Sequence, residues 1–293
     1  MIDKFINYLT FEKKYSENTI NSYKVDLEQF SDYLMSNGVG FDINTLSHND
    51  LRDWIVSLME QGEEPSSVKR KISTIRSFYK FLNRKGLTIN NPTLKIIAPK
   101  LPHPIPKFFK EKDVDKCLEI SKNIHTFEGI RNSLIIEIIY QTGLRCSEVV
   151  NLLEENVDTD TCQLKVLGKG NKERIIPFGN DLAGMIENYR REKAEINSDA
   201  NTLFISVKGL PLTNHQLYII VKNVMGMVTS QQKRSPHVLR HTFATTMLND
   251  GADVTAIKAL LGHSTLAATQ VYTHATFEQI KNIYQQTHPR GKK

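Results

Sequence analysis

Cysteine is scarce in this chain. The three present, Cys117, Cys146 and Cys162, are too few and too scattered for a disulfide framework or a zinc site, which leaves a reducing compartment as the expected setting. No apolar run is long enough to span a bilayer: residues 134–140 are strongly apolar but interrupted by Glu137, and they predict a buried helix. At the N-terminus, Met1-Ile2-Asp3-Lys4 carries charges where a signal peptide needs an apolar stretch. A soluble, cytoplasmic protein with no membrane partner is expected. Internal repeats are absent, and the only biased tracts are a proline-rich segment at 91–110 and a basic tail after Pro289.

The most informative absence is of acid. Residues 65–110 hold 11 Lys/Arg and no Asp or Glu, whereas residues 1–64 hold 5 Lys/Arg against 12 Asp/Glu. The overall charge of +6 is a weak clue to a polyanionic partner, but so uneven a block points to nucleic acid rather than to an ordinary solvated surface.

A length of 293 residues suits two domains. The expected division is a helical DNA-binding domain over 1–90, a Pro/Lys-rich linker over 91–110 and a second domain over 111–293. In the first, Ile20, Tyr23, Leu27, Phe30 and Leu34 recur at spacings of three and four, with Asn37-Gly38 as the stop. Ser47 is placed to cap a helix facing inward with Leu51, Trp54, Ile55 and Leu58. Ser66 or Ser67 is expected to open another, with Val68, Ile72, Ile75, Tyr79 and Leu82 inside. The remainder of that helix is basic (Lys69, Arg70, Lys71, Arg76, Lys80, Arg84, Lys85) without i,i+4 acidic partners, so a phosphate-facing role is favoured over a solvated one. Lys69, Arg70, Arg76 and Lys80 are the candidate DNA contacts. Pro92, Pro99, Pro102, Pro104 and Pro106 predict an extended, stiff connector. The second domain is expected to begin with helices from 113 and over 131–142. Two strands follow, 162–167 and 173–177, joined by a turn at 168–172, and helices then resume to the end.

Several residues could carry chemistry, each with a plainer alternative. Arg145 stands between two helices and could receive an anion beside free N–H groups, or could simply pair with Glu148 at i+3. Lys169, between two glycines, is either solvated or free to approach a ligand closely. In Ser235-Pro236-His237-Val238-Leu239-Arg240, serine and proline mark a helix start that puts His237 and Arg240 on one face, with Leu239, Phe243 and Met247 on a core-directed stripe. His263 follows the helix-ending Gly262, and Tyr272 would ordinarily be a half-buried packing residue.

Taken singly, each is ambiguous. The ordered set of Arg145, Lys169 in its glycine turn, His237-x-x-Arg240, Gly262-His263 and Tyr272 resembles the signature of the tyrosine site-specific recombinase family. The resemblance extends through Asn91-Pro92, Pro99-Lys100, Thr142-Gly143-Leu144-Arg145, Gly168-Lys169-Gly170-Asn171-Lys172-Glu173-Arg174, Leu260-Leu261-Gly262-His263 and Tyr272-Thr273-His274, and is greatest to the Xer-type recombinases of bacteria. Cys146, in place of the usual aliphatic residue, and Thr246, where histidine is frequent, depart from that pattern without touching the presumed active site.

The resemblance implies a mainly α fold: a SAM-like core-binding domain, then a mostly α catalytic domain with a small antiparallel sheet. It implies that Tyr272 attacks the scissile phosphate of double-stranded DNA to form a 3′-phosphotyrosine. Arg145, Arg240 and His263 would hold the phosphate oxygens, Lys169 would protonate the leaving 5′-oxygen, and His237 would assist at Tyr272. No metal, ATP or other cofactor is called for. A homo- or hetero-tetramer on paired target sites is implied, with a second Xer-type recombinase and a DNA translocase as candidate partners. The segment carrying Phe277, Ile280 and Ile283 would pack onto a neighbouring subunit, although docking within its own subunit is the plainer expectation. Two rivals remain. A metal-dependent nuclease would need Glu154, Glu155, Asp158 and Asp160, which read better as a solvated loop; an architectural DNA-binding protein leaves the arginine–lysine–histidine–tyrosine set unexplained.

Overall fold

The computed structural model describes residues 1–100, 108–122, 125–168, 173–262 and 274–291. Its first unit, Met1–Pro104, is helical. Helix α1, Ile2–Asn7, runs on into a π-helical turn, Tyr8–Glu12, and buries Phe5 and Leu9. Helix α2, Glu17–Ser36, follows the expected apolar spacing and buries Leu27, Phe30 and Leu34. Helix α3, His48–Glu60, opens on a capping box: Ser47 accepts from the Asp50 backbone N–H, and the Asp50 carboxylate accepts in return from the Ser47 N–H. Its Leu51, Trp54 and Leu58 join the same core, with Ile55 half-buried beside them.

Helix α4, Pro65–Arg84, starts one residue before the expected opening at Ser66 or Ser67. Proline's fixed φ suits the first helical position, and the residue before it is forced to extend, as Glu64 does. The expected inward residues Val68, Ile72, Ile75, Tyr79 and Leu82 are all buried. The outer face is less uniformly free than expected. Lys71 is buried, bonded to Gln29 and 3.2 Å from Glu63, while Arg70 pairs with buried Asp26, which also accepts from Thr74 at 2.7 Å. The acidic partners missing along α4 itself are supplied by other segments, which sequence spacing does not register.

Beyond α4 the chain folds back on the same unit. Asn90 donates to the carbonyls of Ile43 and Leu46, Arg76 donates to that of Ile96 at 2.5 Å, and Pro92, Thr93 and Ile96 are buried.

The second unit, Ile105–Lys293, is built around a helix buried on every side. Helix α5, Glu111–Lys122, packs on α6, Phe127–Thr142, whose Leu134, Ile135, Ile136, Ile138, Ile139 and Tyr140 have no exposed surface. Thr126 caps α6, and Gly143 ends it in the left-handed conformation at φ +61°. A side chain there would also meet Phe243, 2.5 Å from the ideal Cβ, so glycine is required twice over. The short helix α7, Cys146–Val150, precedes a three-stranded antiparallel sheet of β1 (Val157–Asp158), β2 (Gln163–Leu167) and β3 (Glu173–Pro177). The two-residue β1 carries no periodic signal and was not expected. The β2–β3 register runs from Gln163 opposite Pro177 to Leu167 opposite Glu173. Helices α8 (Asn180–Ala194), α9 (Asn214–Gly226), α10 (Pro236–Asn249), α11 (Val254–Leu261) and α12 (His274–Thr287) complete the unit. The fold is thus mainly α with one small antiparallel sheet, as the sequence implies. Among the described residues no helix is long and apolar enough to cross a membrane.

The C-terminal segment packs on its own unit, the plainer of the two expectations, and corrects the reading of its tail. Ile280 and Tyr284 of α12 are buried in the core, with Ile283 against it. His288 is fully buried, its ring stacked on Tyr284 at 5.0 Å, and burial pushes its pKa down to about 3, so it stays neutral. Arg290 is no free basic tail; it bonds Glu137 at 2.9 Å and Asp115 at 2.6 Å. Ile280→Asp should therefore cost on the order of 3 kcal/mol and lower Tm by roughly 10 °C, because an unpaired charge would enter an apolar site. An unchanged melting curve would show that α12 is not held in cis.

Candidate active site

Gly143 turns the chain out of α6, and Arg145 follows in an extended conformation as the first residue of the cap of α7. Helix α7 has only five residues, and the Arg145 N–H is already taken by the Glu148 carboxylate at 2.8 Å. One of the donors expected beside Arg145, its own N–H, is therefore already committed. The plainer i+3 pairing is present: Arg145 Nη1 lies 2.7 Å from Glu148 Oε1.

Glu148 does more than pair with one arginine. Arg174 of β3 approaches it with both ends of its guanidinium, at 2.9 and 2.8 Å. Arg240 of α10, itself buried, lies 3.9 Å away. The same three arginines hold the end of α11 by consecutive carbonyls. Arg174 Nε donates to Leu260 O at 2.8 Å, Arg240 Nη2 to Leu261 O at 2.7 Å and Arg145 Nη2 to Gly262 O at 3.0 Å. Arg240 Nη1 also donates to Gly143 O at 2.5 Å. Carbonyls at a helix C-terminus lack intrahelical partners and carry the negative end of the dipole, so cationic donors satisfy them well. Gly262 itself ends α11 at φ +63°.

The cluster carries more positive than negative charge. Three guanidiniums surround one carboxylate, leaving an excess of positive charge in a partly dehydrated site. Burial alone would raise the pKa of Glu148, but hydrogen bonds from Arg174 and then Arg145 hold it below the ordinary carboxylate range, so it remains ionised. Arg240 is pushed down to about 10, first by burial and then by the nearby charge of Arg145, against a smaller opposing pull from Glu148. A bound anion would offset the repulsion between Arg240 and Arg145. A phosphate oxygen matches this need, because the guanidinium fork makes two parallel charge-assisted bonds to it.

Of the residues expected from sequence, Arg145 and Arg240 are brought together here from different parts of the chain. His237 stands exposed in the first turn of α10, one turn before Arg240, while Leu239, Phe243 and Met247 of the same helix face the core as expected. Lys169, His263 and Tyr272 lie outside the described residues. Arg174 and the central place of Glu148 were missed. Glu148 could be read only as a local partner of Arg145, and nothing in the spacing of Arg174 tells which groups a strand residue meets. The acidic set proposed for a nuclease is differently employed. Glu154 pairs with Arg190 at 3.1 Å and Lys193 at 2.7 Å rather than lying in solvent, and Asp158 closes a turn by accepting from the Asp160 and Thr161 N–H groups.

In the first unit, Lys69 and Lys80 are exposed on α4, whereas Arg70 and Arg76 are tied to Asp26 and Ile96. Arg76 and Lys80 line a shallow groove with Asn83, Asn91, Thr93 and Leu94.

Residues 107–279 match the model of the phage integrase family, and residues 2–86 match its N-terminal SAM-like domain. Two proteins named tyrosine recombinase XerC are close relatives in sequence. That of Staphylococcus saprophyticus is 38% identical over 290 residues, spanning 99% of this chain and 97% of its own. That of Oceanobacillus iheyensis is 39% identical over 295 residues, spanning 99% and 96%. The fold is also that of the XerH site-specific recombinase crystallised on its difH substrate, with a TM-score of 0.68, 22% identity, and coverage of 95% of this chain and 82% of that one. Matched over more than half its length by the family model and end to end by these relatives, the chain belongs to the phage integrase family and is a tyrosine recombinase.

Proposed function

We propose that this recombinase cuts and rejoins double-stranded DNA at a specific site, with Tyr272 as the nucleophile. The Tyr272 phenol oxygen attacks the scissile phosphorus and the P–O5′ bond breaks. The products are a 3′-phosphotyrosine and a free 5′-hydroxyl. A phenol with a pKa of about 10 is mostly protonated at neutral pH, so His237 assists removal of its proton while Lys169 gives one to the departing oxygen. Arg145, Arg240 and His263 stabilise the charge that builds on the non-bridging oxygens. Because the tyrosyl ester conserves the energy of the phosphodiester, a 5′-hydroxyl from another duplex can reverse the step without ATP.

The observation that carries this reading is the arginine pair, half-buried Arg145 and buried Arg240, assembled around one carboxylate with positive charge in excess. The test is covalent capture on a nicked duplex that loses its 5′-hydroxyl fragment after cleavage. A 3′-linked adduct should form in EDTA and without ATP. A metal-dependent nuclease would give no adduct and stop in EDTA; an architectural protein would bind without cutting.

Exchange needs two duplexes cut and held together, which supports a tetramer on paired sites, its second subunit type identical or another Xer-type chain, with a DNA translocase as a candidate activator. Its biological setting is chromosome-dimer resolution or the movement of a mobile element.

In the first unit, Lys69 and Lys80 of α4 contact phosphates. Each phosphate contact releases counterions and contributes a slope of about 0.9 in log K against log salt. Lys69→Gln with Lys80→Gln should therefore weaken binding and flatten that slope by roughly 2. This pair avoids Arg70 and Arg76, whose loss would also break contacts inside the unit. An unchanged slope would return both lysines to solvent.

A further inference from the structure

We infer that Arg174 is a positioning residue that keeps the arginine clamp available for DNA, an inference that rests on the function proposed above. Glu148 is buried, and its charge must be answered by a neighbour. Arg174 answers it with a two-pronged pair, one guanidinium nitrogen on each carboxylate oxygen, while its Nε is fixed to Leu260 O. With Glu148 so occupied, Arg240 stays 3.9 Å away, beyond hydrogen-bond reach. The Arg145 guanidinium bonds one carboxylate oxygen through Nη1, while its backbone N–H bonds the other. A guanidinium carries five N–H donors in fixed directions, so how the carboxylate is shared decides where the remaining donors of the clamp point.

Charge counting leads to the same conclusion. Arg145, Arg174 and Arg240 against Glu148 leave an excess of two positive charges for an incoming phosphate. Without Arg174 the excess is one, and Glu148 becomes a competitor with the phosphate for the two remaining arginines. Position matters as well. The Arg174 guanidinium approaches Gly262 closely: an ideal Cβ there would stand only 3.0 Å from Nη1 and 3.2 Å from Cζ. Arg174 thereby joins β3 to the end of α11, and the next residue in the chain after Gly262 is His263. Since the site depends on angles as well as charge, lysine, a point charge without a fork, is a poor substitute at this position.

The experiment uses the full-length protein and single-turnover cleavage of the nicked duplex, with DNA affinity and Tm measured on the same preparations. Arg174→Gln should cleave on the order of tenfold to a hundredfold more slowly, as for a clamp displaced by a fraction of an ångström to an ångström. Its DNA affinity should stay within about twofold, because affinity is spread over many phosphates. Arg174→Lys, which keeps the charge and fold more readily, should recover only part of that rate. The decisive variant is Arg174→Gln combined with Glu148→Gln. It restores the excess of two positive charges, and should cleave faster than Arg174→Gln alone. A residue that merely braces the fold would show no such recovery, and the double variant would be as slow as the single one or slower. Full cleavage by folded Arg174→Lys and Arg174→Gln, or a double variant no faster than the single, overturns the inference. Failure of the unaltered protein to form any adduct would instead overturn the proposed function itself.

Discussion

Tyr272→Phe should bind target DNA as tightly as the unaltered protein yet form no covalent adduct. Only the phenolic oxygen is removed, so the phosphate contacts that dominate affinity persist. Loss of a nucleophile removes a chemical step outright, and cleavage should fall on the order of 10⁴-fold or more, to the background of the assay. The structure narrows the field of substitutes. Tyr284, the next tyrosine along the chain, is 1% exposed, and its hydroxyl donates to Gln141 at 3.1 Å inside the core. Burial holds its pKa well above the usual phenol value, which further disfavours the phenolate. Tyr140 and Tyr189 are likewise fully buried. Capture on the nicked duplex followed by peptide mapping would decide the matter. An adduct that survives in Tyr272→Phe and maps to another tyrosine would refute the assignment.

The second large effect is expected at the clamp. Arg240→Ala should slow cleavage by on the order of a hundredfold or more, the usual consequence of deleting a preorganised donor to developing charge. Arg145→Ala should do the same. The two should differ in stability. Arg240 is buried and serves the carbonyls of Gly143 and Leu261, so its removal leaves two acceptors unsatisfied, at about 1–3 kcal/mol each. Arg145, with its side chain 33% exposed, can be replaced at less cost to the fold. Cleavage rates should thus fall together while melting temperatures fall mainly for Arg240→Ala. Normal cleavage in either folded variant would mean that the guanidinium is structural and the phosphate is held elsewhere.

How much of this was legible beforehand depended on whether the signal was local. Ser47 and Asp50 form a cap within a single turn, and Gly143 and Gly262 end helices where only a left-handed residue will serve, so short stretches of sequence declare them. The inward stripes of α2, α3 and α4 follow from helical periodicity in the same way. Serine is a good cap and marks positions 66 and 67, but the stronger backbone constraint of Pro65 sets the start of α4. On α4, the sequence shows a basic face; that Lys71 turns inward and Arg70 is neutralised depends on Asp26, Gln29 and Glu63 arriving from elsewhere. The docking of α12 was open for a related reason. An apolar stripe states that a surface must be covered and leaves its partner unstated, and here the partner is the core of the same unit.

By itself the sequence determined the mainly helical character, the strands β2 and β3, the family, and the identities of the candidate catalytic residues, because these are properties of residue type, order and short-range spacing. Tertiary structure alone decided that Glu148 is the common partner of Arg145 and Arg174 with Arg240 close by, that three arginines from separate elements grip consecutive carbonyls at the end of α11, and that α12 closes on its own subunit. Those outcomes depend on which distant segments meet. A buried charge or an orphan carbonyl requires a partner, but only the packing of the whole unit selects which one.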